Sequence, residues 1–106
     1  MIRVVGLYRW KENARFDHAY YSTHHMGLTR RLLTPLGLIR LESDRGITSD
    51  PPAEGQMVAI SHAFFNSIEE AQTALSAVGD ELMADVSKYT NLQPEVHMTT
   101  VTEHAP

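Results

Sequence analysis

Two stretches of this chain, Ile2 to Tyr8 and Met57 to Phe65, are apolar at both parities of a strand. Successive strand residues point to opposite faces of a sheet, so a strand that is apolar at every position calls for cover on both sides. The first stretch sets Ile2, Val4 and Tyr8 against Val5 and Leu7. The second sets Val58, Ile60 and Phe64 against Met57, Ala59, Ala63 and Phe65. Both are expected at the centre of a sheet. Leu36 to Ile47 and Glu95 to Thr102 carry Arg40, Glu42, Asp44, Arg45, Thr99, Thr100 and Thr102, and these polar residues suit edge strands.

Helical patterns fill the two long connections. Asn13 is placed to cap a helix in which Phe16, Ala19, Tyr20 and Thr23 recur at helical spacing. Gly27 is expected to bend or end it, with one further turn before Pro35. Ser67 and Glu70 form a capping-box pattern ahead of the stripe Ile68, Ala71, Leu75 and Val78, with Gly79 expected to close that helix. A second amphipathic stretch aligns Leu82, Met83, Val86 and Tyr89 and runs to about Thr90. Thr48 to Gly55, with paired prolines, reads as a loop.

The order is βαββαβ within a single domain, residues 1–106. Right-handed crossovers then give an α+β, ferredoxin-like fold: a four-stranded antiparallel sheet in the order 4-1-3-2 with both helices on one face. The other face of the central strands still needs cover, and a second copy packed sheet to sheet is the simplest source, giving a homodimeric α/β barrel.

Charge and composition remove several classes of partner. Thirteen acids stand against nine bases, and the only adjacent basic pair is Arg30 and Arg31, too little to track a phosphate backbone. No apolar run is long enough for a membrane span, and a cytoplasmic setting is the default expectation. Cysteine is absent, which excludes disulfides and thiolate chemistry. Ser22 and Ser61 lack a nucleophile motif, glycine-rich phosphate loops are missing, and the six histidines have no metal-ligand spacing. No cofactor and no metal are expected.

The helical segment FDHAYYSTHHMGL, residues 16 to 28, resembles the signature of the EthD family, in which an aromatic residue and a tyrosine precede a histidine that is soon followed by a small residue or proline and a leucine. The opening MIRVVGLYRWKEN, the edge strand LGLIRLE and the closing PEVHMTTVTEH sit where that family has its strands. The family usually has proline two residues after the histidine, where this chain has Gly27. The resemblance implies a homodimeric barrel with a pocket between each sheet and the first helix of its own subunit. It also implies a link to ether degradation, because the family is named for that role beside an oxygenase.

His25 matches the family's histidine, and Tyr21, four residues earlier, shares its helix face. An imidazole can move a proton beside a carbonyl while a phenol orients an oxygen; it can equally hold a helix end against a sheet. His24 points elsewhere round the helix, and His18 projects away from the apolar stripe. His62 alternates with Ile60 and Phe64 on a central strand and is a candidate to line the pocket with Tyr8 and Met98, or to be a satisfied structural histidine. His97 has the weaker claim.

The expected ligand is a small lipophilic or aromatic molecule bearing a carbonyl or hydroxyl. The expected function is its binding and a cofactor-free proton transfer, isomerisation or cyclisation. The alternative is a non-catalytic binding or accessory protein of a catabolic oxygenase pathway.

Overall fold

The computed structural model describes residues 1–106. Strand β1 spans Ile2–Arg9, β2 Arg40–Arg45, β3 Met57–Phe65 and β4 Glu95–Thr100. They form one antiparallel sheet in the order β2-β3-β1-β4, which is the arrangement expected from the two doubly apolar strands. Helix α1 is continuous through His18–Tyr20, a π-helical turn Tyr21–His25, and Met26–Leu33. Helix α2 spans Ile68–Val86. No helix is long and apolar enough to cross a membrane.

Several local expectations need correction. The cap of α1 is Asp17, whose side chain accepts from the Tyr20 backbone N–H, whereas Asn13 sits four residues earlier in a left-handed turn at φ 63°. Gly27 does not end α1. The helix runs on to Leu33 and stops through a short 3₁₀ turn, Thr34–Leu36, with Gly37 at φ 103°. Nothing lies within 4 Å of a Cβ built on Gly27, so the residue has no packing task that would break the helix. Gly79 likewise stays inside α2, which the Ser67 cap begins as expected by accepting from the Glu70 N–H at 3.1 Å. The second strand is also shorter than its apolar pattern suggested, because Leu36 closes the 3₁₀ turn.

Pairing registers assign the faces. Ile2, Val4, Gly6 and Tyr8 pair with Phe65, Ala63, Ser61 and Ala59, and these alternate residues form the face toward the helices. The core on this face is in two parts. One gathers Ile2, Val4, Leu33, Ala63, Phe65, Ala71 and Ala74; the other gathers Tyr8, Tyr21, Met26, Val58, Ala59, Val86, Tyr89 and Leu92. The small residues Gly6 and Ser61 pair with each other between them. A core that is not closed there leaves room.

The opposite face carries Arg3, Val5, Leu7, Ile60, His62 and Phe64. Phe64 is only 1% exposed because the Arg3 and Arg40 guanidinium groups lie 5.1 and 4.2 Å from its ring centre. The chain therefore covers part of its second apolar face with its own arginines, a solution that the alternation pattern did not disclose.

Candidate functional site

His25 is 7% exposed and lies at the end of the π-helical turn, where the Met26 N–H reaches back to the Tyr21 carbonyl. Its Nδ1 is 2.9 Å from Oδ2 of Asp85, itself 7% exposed, in the last turn of α2. An ionised carboxylate only accepts, so Nδ1 carries the proton of this bond. Asp85 Oδ1 also accepts from the Tyr20 hydroxyl at 2.9 Å, and Lys88 Nζ stands 3.6 Å away. Burial pushes the Asp85 carboxyl up, but the hydrogen bonds from His25 and Tyr20 and the nearby cationic groups outweigh it and hold it below the ordinary carboxylate value.

Aromatic rings fix the imidazole plane. Tyr21 stacks on His25 with an interplanar angle of 16°, and Tyr89 packs 4.7 Å from it, centre to centre. The segment after α2 holds Tyr89 in place: the Asp17 N–H donates to the Tyr89 carbonyl, and Thr90 Oγ1 donates to the Arg15 carbonyl. The Tyr89 hydroxyl is hydrogen-bonded to that of Tyr8. Burial is the largest cause raising the phenol pKa of Tyr8, Tyr21 and Tyr89 alike, so these rings act as neutral hydrogen-bonding groups.

Between the two halves of the core lies a cleft of about 360 Å³, near the lower end for small-molecule sites. Its walls include Val4, Tyr8, Met26, Leu33, Ala63, Leu75, Met83, Val86 and Val96, with Gly6 and Ser61 on the sheet side. Its titratable residues are His25, Tyr8 and Asp80, and no Lys or Arg borders it. His25 lines the cleft, and its Nε2 has no protein hydrogen-bond partner. The arrangement is an Asp-oriented imidazole on an apolar wall, able to accept or return a proton.

The other sequence candidates divide. Tyr8 lines the cleft, and Tyr21 stacks behind His25 without lining it. Ile60, His62 and Phe64 lie on the opposite face of the sheet, because their parity on β3 is that of Val5 and Leu7, so they cannot join His25 in a pocket between sheet and helices. His62 Nε2 is instead 2.8 Å from Asp44 Oδ2 on β2. Met98 has the helix-side parity but lies on exposed β4 outside the cleft walls. His24 is exposed and stacks on Tyr20, and His97 is exposed beside Glu95. His18 packs against Phe16, with burial first and then Arg45 lowering its pKa against the opposing effect of Asp17. No group of three or more His, Cys, Asp or Glu side chains is gathered to hold a metal ion.

Sequence reasoning missed Asp85. A signal was present: an acid in the last turn of a helix opposes the macrodipole, and this one adjoins Val86 on the apolar stripe.

Fold and cleft together define a ferredoxin-like α+β protein in which an aspartate-paired histidine lines a largely apolar cleft. A crystal structure of an EthD-like protein from Ralstonia eutropha JMP134 matches over 98% of this chain and 94% of its own, with 28% identity and a TM-score of 0.83. An ethyl tert-butyl ether d (EthD) family protein from Bacillus halodurans C-125 shares the fold, with 24% identity and a TM-score of 0.57 over 90% of this chain and 96% of its own. Over nearly its whole length the chain is similar in sequence and fold to the EthD-like protein. No protein-family model matches it, and no curated protein does.

Proposed function

We propose that this chain binds a small, uncharged, largely apolar metabolite in the cleft between sheet and helices, and that His25 moves a proton on it. The observation that carries this reading is the pairing of His25 Nδ1 with buried Asp85 at 2.9 Å in a histidine that lines the largely apolar cleft and has Nε2 unpaired. Asp85 fixes the imidazole tautomer and stabilises the imidazolium formed when Nε2 takes a proton. Returning that proton to a different atom of the ligand gives an isomerisation or cyclisation without a cofactor. An anionic ligand would meet Asp80 and no compensating cation, so the neutral class is favoured.

A second reading, a carrier or accessory protein in oxygenase-linked ether breakdown, is favoured by the open rim. Met83 and Val96 remain 47% and 57% exposed, so the cleft does not seal its contents from water. An ether such as the one in the Bacillus halodurans protein's name is neutral and suits the same walls.

A panel of small neutral lipophiles, followed through the methyl signals of Met26, Met83 and Val86, tests the binding claim. Perturbations confined to residues away from the cleft would remove it. His25→Ala then separates the two readings: lost turnover with retained binding supports catalysis, and unchanged turnover removes His25 from the chemistry. We place the protein in the cytoplasm as a single-domain homodimer paired through the outer sheet face around Val5, Leu7 and Ile60. A stable monomer at micromolar concentration in a solution-mass measurement would contradict the pairing.

A further inference from the structure

The Tyr21 hydroxyl is sealed from solvent and has no hydrogen-bond partner, an arrangement that costs stability in a folded protein unless something else uses the donor. Ser61 on β3 lies on the same stretch of sheet face: the Tyr21 ring stands 5.8 Å from that of Tyr8, which shares its face with Gly6, the pairing partner of Ser61, and Ser61 lowers the Tyr21 phenol pKa against the larger raising effect of burial. Ser61 is itself weakly engaged. Its hydroxyl reaches only the Gly6 carbonyl, at 3.5 Å, the outer limit for such a bond. Ser61 lines the same cleft as His25, and Gly6 opposite it is the residue that makes the space: a Cβ there would stand 3.0 Å from the Ser61 Oγ.

We propose that Ser61 and Tyr21 form a two-step donor relay for a single oxygen atom of the ligand: Ser61 Oγ turns from Gly6 to donate to a carbonyl oxygen in the cleft and accepts in turn from the Tyr21 hydroxyl. Ligand binding then pairs both underused donors at once. The relay rests on the cleft reading above and narrows the ligand class to neutral apolar molecules with a carbonyl oxygen held toward the sheet. Ser61 contacts the ligand. Tyr21 acts through Ser61 and is a positioning residue. In the proton-transfer reading, the relay faces the charge that grows on that oxygen as His25 Nε2 removes a neighbouring proton.

The test compares acetophenone with α-methylstyrene, which replaces the carbonyl oxygen by a methylene group at nearly constant shape. Affinities are read from the cleft methyl signals of the intact protein. The expected result is a preference for the ketone of roughly three- to tenfold, the worth of one neutral hydrogen bond. Ser61→Ala should abolish the preference, so that the two probes bind the variant alike. Tyr21→Phe should shrink the preference, and Ser61→Thr, which keeps the hydroxyl, should restore it relative to alanine. A ketone preference that survives in Ser61→Ala overturns the relay, as does equal binding of the two probes to the unsubstituted protein. In that second outcome the cleft reading stands. If neither probe perturbs the cleft residues, both claims fall together.

Discussion

Replacing Asp85 with Asn tests the buried pair at nearly constant volume. The carboxylate accepts from His25 Nδ1 and from the Tyr20 hydroxyl, each at 2.9 Å. An amide offers one oxygen and one NH₂ group, so only one of the two donors keeps an acceptor, and the Tyr20 hydroxyl must turn to accept or lose its bond. The loss is the charge assistance of two hydrogen bonds, with one of them reversed or unmade, or about 2 to 3 kcal/mol. Lys88 contributes little to the difference, since its ammonium is exposed and 3.6 Å distant. With a urea m-value of about 1.5 kcal/mol/M for a domain of this size, the unfolding midpoint should fall by about 1.3 to 2 M.

The pH dependence of that difference carries the sign. The Asp85 carboxyl is held below its ordinary value in the fold, so its contribution is complete above the unfolded carboxylate pKa of about 4 and is lost as pH falls through the lower folded value. Urea titrations of both proteins at a series of pH values should therefore give curves that are well separated near neutrality and converge in acid. Equal stability at neutral pH, or a gap that persists undiminished into strong acid, would refute the assignment of Asp85 as an ionised, doubly bonded partner of His25.

Three further outcomes can be checked by denaturation or absorbance. Gly27→Ala adds a methyl group to the interior of α1 with nothing within 4 Å and should stabilise the protein by about 0.5 to 1 kcal/mol in urea unfolding. Gly46→Ala would set its Cβ 1.8 Å from the Met57 carbonyl oxygen, a backbone atom that cannot step aside, and should cost at least about 3 kcal/mol or prevent soluble expression. All four tyrosines have raised phenol pKa values, burial being the first cause at each, so near pH 10, where a free phenol is about half ionised, the native protein should show little phenolate absorbance. Their neutral forms favour the folded state, and stability should be lost as pH rises above that value, with phenolate appearing on unfolding.

The sheet order was legible because β1 and β3 are apolar at both parities, and that pattern belongs to central strands whatever surrounds them. Helix limits were less so. Gly27 and Gly79 look like stops in one dimension, yet neither meets a packing or backbone demand that would end a helix, and the capping bond of Asp17 depends on where the chain turns. His25 was found through its surrounding motif, whereas its partner Asp85 lies 60 residues away and is joined to it only by the packing of α2 against α1. The misplacement of Ile60, His62 and Phe64 has a simple cause. Alternation separates two faces but does not say which one the helices cover; the register with Val4 and Tyr8 decides it. Gly6 and Ser61 gave no motif at all. Their importance comes from facing each other at the gap between the two core clusters.

Proton transfer by His25 is most directly tested by following deuterium incorporation into the methyl group of acetophenone in heavy water by proton NMR, with the unsubstituted protein and with His25→Gln. The expected result is exchange faster than in buffer alone and a drop of about a hundredfold or more in the variant, the usual contribution of a positioned general base. Exchange in the His25→Gln protein equal to that in the unsubstituted one would contradict the account.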